Sequence, residues 1–158
     1  MRTHSTIDSP VGELILVADG ETLVGLYFPG RERGDLGERV ADAHPVASAQ
    51  LAEYFAGKRR SFDVPIALAG TDFQQLVWET LTRIPYGETW TYGRLAAAIG
   101  RPQASRAVGM ANNQNPISII VPCHRVVGAD GQLVGYGGGL ENKEFLLALE
   151  RGSGGLFP

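Results

Sequence analysis

The pattern of apolar and polar positions divides the chain into two halves. Between residues 3 and 28 it has the two-residue period of half-buried strands. Thr3–Asp8 alternates and ends at Ser9-Pro10. Glu13–Val17 and Thr22–Phe28 are rich in Leu, Ile and Val, with the tight-turn dipeptide Asp19-Gly20 between them. This predicts a small antiparallel meander. Residues 29–44 are charged and Gly-rich, and read as a surface loop with room for a short helix. Pro45 stands at the favoured first position of a helix whose apolar face is Leu51, Tyr54 and Phe55 and whose end is Gly57. Lys58-Arg59-Arg60 reads as a solvated helix end rather than a phosphate contact. Phe62–Leu68 looks extended, and Ala69-Gly70 marks the expected boundary between an N-terminal α/β domain (1–70) and a C-terminal domain (71–158).

From residue 71 the period becomes helical. Thr71 and Gln74 form a capping box ahead of Phe73, Leu76, Val77, Thr80, Leu81 and Ile84, with Trp78 expected in packing. Thr91 can cap a helix running to Ile99, with Leu95, Ala96 and Ile99 inward. Gly100-Arg101-Pro102 turns, and Gln103–Ala111 forms a second helix of unusually small side chains. Two short helices around a Gly-containing turn have the outline of a helix-turn-helix. Asn112–Pro116 ends the second helix. Ile117–Val121 leads into Cys123, and Val126-Val127, Asp130-Gly131 and Leu133-Val134 read as a hairpin. Four glycines then flank Tyr136 within residues 135–139. Glu141–Arg151 is an amphipathic helix (Phe145, Leu146, Leu149) ended by Gly152, and residues 152–158 read as a loose tail.

Composition narrows the chemistry. The length of 158 residues, with 44% hydrophobic and 20% charged positions, fits a globular protein. No long apolar run implies a membrane span, no signal core opens the chain, and a cytoplasmic location is expected. One cysteine forbids an internal disulfide and a Cys-rich zinc site, and His4, His44 and His124 show no metal-ligand spacing. The net charge of −3 gives no global sign of nucleic-acid binding. It is unevenly spread: residues 1–70 hold ten acids and seven bases, and residues 71–158 hold seven of each. A DNA-binding surface would have to be a local patch in the second half, with salt-sensitive affinity.

The cysteine itself lies in Ile119-Ile120-Val121-Pro122-Cys123-His124-Arg125-Val126-Val127. A lone cysteine in an apolar run is most often a small buried hydrophobe. A reactive one needs a base, a cation or a helix N-terminus. His124 is the obvious base, yet neighbours on extended chain point to opposite faces, so a bridging water or a local bend is required. A base also needs an orienting carboxylate, and Asp130, Glu141, Glu144 and Glu150 all follow. The residues alone do not choose among them.

The run Pro122–Val127 resembles the active-site signature of the O6-alkylguanine-DNA alkyltransferases, or methylated-DNA–protein-cysteine methyltransferases. Six further segments resemble that family in order and spacing: Ile84–Thr89, Thr91–Gly93, Ser105–Gly109, Asn115–Ile117, Tyr136–Gly139 and Leu146–Glu150. The likeness is strong over about 71–151 and weaker before. It implies an α+β protein: a small N-terminal antiparallel sheet plus helix, ribonuclease H-like, then a mainly helical, winged-helix-like domain containing the helix-turn-helix.

The resemblance also implies roles. Cys123 is the acceptor of an alkyl group from guanine O6, or from O4-alkylthymine. His124 activates it through water, and Glu150 orients His124. Tyr92 crowds the target phosphate and donates a proton to the leaving guanine. Arg106 fills the gap left by a flipped nucleotide, and Asn115 is a hinge. Thr91, Arg94, Ala104, Ser105, Ala107 and Gly109 complete the DNA-binding set. Pro122, Val126, Tyr136, Gly137 and Gly138 line the pocket. The partner is duplex DNA containing O6-alkylguanine. No cofactor, metal or membrane is expected, the protein is expected to be monomeric, and cooperativity on DNA is left open. With one thiol and a stable thioether product, the reaction is stoichiometric and self-inactivating. Asn113-Gln114 stand where many relatives have a glycine and a basic residue, and Gly137 where some carry Ser. The competing classes are a pure helix-turn-helix DNA binder, which the scarcity of base-reading side chains on the second helix disfavours, and a Cys-His hydrolase, which would turn over.

Overall fold

The computed structural model describes residues 1–152, and it divides into two compact units. The first is Met1–Ala69 together with Pro116–Ile120, and the second is Gly70–Asn115 with the chain from Val121 onward. The chain therefore leaves the second unit at residue 116 and re-enters it at 121, an excursion that a single cut at residue 70 does not contain.

In the first unit β1 (Arg2–Ile7), β2 (Leu14–Asp19) and β3 (Thr22–Tyr27) form the expected antiparallel meander. Leu14, Leu16, Leu23 and Leu26 are fully buried on it. The loop after β3 forms no helix. Instead β4 (Glu38–Arg39) pairs parallel with β1, giving the sheet order β3-β2-β1-β4. Gly37 makes that approach possible: its φ is +73°, and a Cβ there would overlap the Arg2 carbonyl. Asp35 Oδ1 accepts from Gly37 N at 2.9 Å, and the Arg2 guanidinium donates to the Asp35 carbonyl at 3.0 Å. The loop is thus fastened rather than free. α1 (Pro45–Phe55) starts at Pro45 as expected, but its cap is the buried His44, whose Nδ1 accepts from Ala47 N at 3.1 Å.

The segment 62–68 does not form a full strand. It meets β3 in a single bridge, Leu23 to Ile66, because Pro65 has no N–H to extend the ladder. Residues 116–120 add a similar bridge from Leu26 to Ile117. Within them Ile119 takes φ of +73°, an uncommon and costly conformation for a β-branched residue.

In the second unit α2 (Asp72–Leu81) carries the full capping box: Gln74 N donates to Thr71 Oγ1 at 3.1 Å and Thr71 N to Gln74 Oε1 at 2.9 Å. Trp78 is buried at its centre, with Nε1 donating to the Ala111 carbonyl at 2.8 Å. Leu76, expected inward, is 39% exposed. β5 (Trp90–Thr91) leads into α3 (Tyr92–Ala98), and α4 (Ser105–Asn113) follows the turn, two residues later than its small-residue run implied.

The expected hairpin after Cys123 is replaced. β6 (Val126–Val127) pairs parallel with β5, and the turn at residues 128–131 closes on bonds from Gly128 N to the Gln132 carbonyl at 2.8 Å and from Gly131 N to the Gly128 carbonyl at 2.9 Å, with no strand ladder beyond them. The Val134 and Gly135 carbonyls accept side-chain bonds instead of building a ladder. α5 (Leu140–Glu150) closes the unit. No helix of the described residues is long and apolar enough to cross a membrane. Beyond Gly152, the expected tail lies outside the described residues.

Candidate active site

Cys123 opens a single turn of 3-10 helix, Cys123–Arg125, rather than extended chain. That is the local bend the Cys-His sequence required. Pro122 precedes it, and the Val126 N–H closes it on the Cys123 carbonyl. Cys123 is 4% exposed and His124 fully buried.

The turn sends His124 and Arg125 to the same carboxylate. His124 Nε2 lies 2.7 Å from Glu150 Oε2, and Arg125 grips both oxygens, with Nε to Oε1 at 2.7 Å and Nη2 to Oε2 at 3.0 Å. Arg125 Nη1 also donates to the Ile84 carbonyl at 2.7 Å. Of the four carboxylates left open by the sequence, Glu150 is the one brought to His124. Burial alone would push its pKa up, but the His124 and Arg125 contacts outweigh this and hold it well below the ordinary range. Burial likewise pushes the His124 pKa down, despite Glu150, so the imidazole is neutral. A carboxylate can only accept, so Nε2 carries the hydrogen. Nδ1 is then an unprotonated base, buried without a hydrogen-bond partner among the described residues.

The inner face of α5 is not the expected one. Lys143, Leu146, Leu147 and Glu150 are buried, while Phe145 is 38% exposed and Leu149 half-buried. Lys143 donates from Nζ to the Val134 carbonyl at 2.9 Å and lies 5.8 Å from the Tyr136 ring centroid. Burial pushes its pKa down to about 8, while attraction to the Cys123 sulfur acts the other way. Sequence reasoning missed Lys143 and the bidentate role of Arg125. The available signal was spacing: Lys143 lies three and seven residues before the buried positions 146 and 150.

Tyr92 begins α3 behind the Thr91 cap, whose Oγ1 accepts from Arg94 N at 3.0 Å. Its hydroxyl donates in a long, shared contact to the Val134 and Gly135 carbonyls at 3.3 and 3.4 Å. Burial, then the nearby Cys123, raise its pKa, against a hydrogen bond from Asn112. Gly109 brings α4 against the ring, since a Cβ there would lie 3.5 Å from it. Asn115 Nδ2 donates to the Val121 carbonyl at 2.8 Å, tying the end of α4 to the residues before Cys123.

Other expected residues lie elsewhere. Arg106 and Ala107 are exposed on the outward face of α4, and Ala104 and Ser105 are half-buried at its start. Ala104 supplies no side-chain cap to the first N–H groups of α4. The Arg94 guanidinium stacks 4.5 Å from the Trp90 ring centroid. Tyr136, Gly137 and Gly138 are half-buried, and the Gly138 carbonyl accepts from Asn142 at 2.8 Å. No cluster of three or more His, Cys, Asp or Glu among the described residues could hold a metal.

A buried cysteine beside a Glu-oriented imidazole, with a helix pair in the same unit, defines a cysteine-centred protein with a candidate nucleic-acid face. Comparison with known proteins makes the class definite. The family model "6-O-methylguanine DNA methyltransferase, DNA binding domain" matches residues 72–152, and "6-O-methylguanine DNA methyltransferase, ribonuclease-like domain" matches 3–68. The chain is 51% identical over 151 residues to the methylated-DNA--protein-cysteine methyltransferase of Methanosarcina acetivorans, covering 93% of this chain and 97% of that one. It is 53% identical over 152 residues to the Mycobacterium leprae protein of that name, covering 92% and 90%. It is also similar to the crystal structure of Mycobacterium tuberculosis OGT in complex with DNA, with a TM-score of 0.91 and 51% identity over 94% of this chain and 92% of that one. The chain belongs to the 6-O-methylguanine DNA methyltransferase family.

Proposed function

We propose that the protein repairs duplex DNA by direct, irreversible transfer of an alkyl group from guanine O6, and from thymine O4, to Cys123. The observation that carries this reading is the 3-10 turn that buries Cys123 beside a neutral imidazole held by Glu150 at 2.7 Å. In this reading His124 Nδ1 takes the thiol proton through a water, and Lys143 favours the resulting thiolate. The thiolate attacks the alkyl carbon, the carbon–O6 bond breaks, and the electron pair leaves with guanine. Tyr92 protonates the leaving base, and the proton lost from Cys123 is returned to Tyr92 by solvent exchange.

The target atom lies inside the duplex, so the nucleotide must be extruded. The second unit supplies the DNA-binding and acceptor roles. Arg106, exposed on α4, fills the gap in the stack, and the small Ala107 and Gly109 let the helix approach. The uncapped α4 start at Ala104 and Ser105 suits a backbone phosphate, as does the α3 start at Thr91, with Arg94 nearby. Asn115 acts as the hinge between this helix and the acceptor. Pro122, Val126, Tyr136, Gly137 and Gly138 form the pocket for the extruded base. The protein acts as a cytoplasmic monomer without cofactor.

Incubation with a duplex carrying O6-methylguanine tests the reading. A mass gain of one methylene equivalent on the Cys123 peptide, with one turnover per molecule, is expected, and Cys123→Ala loses transfer while keeping DNA binding. Sustained turnover would contradict it.

A further inference from the structure

Asn112 belongs to no role assigned so far. It is 1% exposed on the inner face of α4, one turn beyond Gly109, where that helix meets the Tyr92 ring. Its Nδ2 donates to the Cys123 carbonyl at 3.3 Å. The same side chain lies near enough to the Tyr92 hydroxyl to favour its ionised form, against burial. Its Oδ1 is buried with no hydrogen-bond partner among the described residues. A buried amide that satisfies only its donor end is costly to keep. Turning it over would set Oδ1 against the Cys123 carbonyl, acceptor against acceptor, so the donor orientation is fixed. The backbone N–H of Val126 reaches the same carbonyl, which therefore has both lone pairs engaged and is held rigidly.

We propose that Asn112 is a positioning residue for departure of the guanine: its amide holds the acceptor cysteine's backbone and the Tyr92 hydroxyl in one register and steadies the phenolate that forms as Tyr92 gives up its proton. The sulfur–carbon bond forms, the carbon–O6 bond breaks, and the phenol proton passes to the leaving guanine. The charge then rests on the Tyr92 oxygen, to which Asn112 donates. An N–H donor to a charged oxygen is stronger than one to a neutral oxygen, so the contact tightens as the reaction proceeds. Loss of Asn112 acts on leaving-group departure and spares thiolate attack as such. The inference rests on the reading of Tyr92 as proton donor.

The test compares two methyl donors that form the same S-methylcysteine. One is duplex DNA carrying O6-methylguanine at saturating concentration. The other is methyl iodide, whose leaving iodide takes no proton. Asn112→Leu, Asn112→Ala, Tyr92→Phe and Asn112→Leu/Tyr92→Phe are each followed by mass on the Cys123 peptide. Both Asn112 variants are expected to slow the DNA reaction about tenfold and to leave the methyl iodide rate within about twofold. The double variant should be no more than about twofold slower than Tyr92→Phe, because the two residues act on one step. Equal slowing with both donors would overturn the inference and leave Asn112 a merely structural residue, as would an unchanged DNA rate. If Tyr92→Phe leaves the DNA rate unchanged, the donor reading itself fails and takes the inference with it.

Discussion

Two faces of the second unit solve opposite problems. The inner face of α5 and the 3-10 turn bury four ionisable side chains, His124, Arg125, Lys143 and Glu150, each bonded to a specific partner. The outward face of α4 carries Arg106, Ala107 and Met110 in the open, with Met110 63% exposed. The His124–Glu150–Arg125 cluster on the buried face cannot be cut without disturbing the fold, because each of its groups depends on another. The open face can be altered freely as far as stability goes, and its changes should appear only when DNA is present. On the proposed function, chemistry and recognition are thus separable by measurement although they share one unit.

The largest effect should come from cutting the buried network. Glu150→Leu leaves Arg125 buried and unpaired and His124 without its orienting carboxylate. It should lower unfolding free energy by about 3–5 kcal/mol in a denaturant titration and abolish measurable transfer. A stable variant would show that the network is not what secures the turn. Arg106→Ala should do the reverse. Single-turnover transfer should slow about tenfold or more, because in the role proposed for Arg106 the gap left by an extruded base would go unfilled, while stability stays within about 0.5 kcal/mol. A matching loss of stability would erase the contrast between the faces.

Acid sharpens the same contrast. His124 is held neutral in the fold, below its ordinary value of 6.5, so the unfolded chain binds a proton there that the native chain does not. Glu150, held below its ordinary 4.5, adds a second such group. Both make stability rise with pH, so it should fall as pH drops below about 6.5 and again below about 4.5. Glu150→Leu should remove most of the lower step. The smallest effect concerns Lys143. Its folded pKa of about 8 lies below its ordinary 10.5. Stability should therefore rise by about 1–3 kcal/mol between those values as the buried charge is relieved. Lys143→Met should lose that rise without becoming less stable at pH 7. A pH-stability curve with the wild-type slope above pH 8 would contradict the burial of the ammonium.

The meander, the capping box and the two short helices were legible because each obeys a local rule: alternation, a Thr-x-x-Gln cap, a Gly-containing turn. Cys123, His124 and Glu150 were legible through resemblance to a family. What was hidden depended on contacts distant in sequence. The second-strand partner of Val126-Val127 is Trp90-Thr91, and no local pattern announces a parallel pair. Gly37 and β4 carry no strand signal in the sequence, because two residues on a sheet edge have no period. On α5, Phe145 and Leu149 look like the apolar stripe, but the true inner face is set by Lys143 reaching Val134 and Glu150 reaching Arg125. Apolar periodicity misjudges a helix whose buried face is partly charged. Asn112 was hidden for the same reason, since its neighbours read as a turn.

The fate of one thiol decides whether the protein is an alkyl acceptor. Wild-type protein, mixed with an excess of duplex DNA carrying O6-methylguanine, is digested and weighed. One methylene equivalent is expected on the Cys123 peptide, no second equivalent elsewhere, and an amount of repaired guanine equal to the protein added. Repaired guanine in excess of protein, or an unmodified Cys123 after repair, would contradict this expectation.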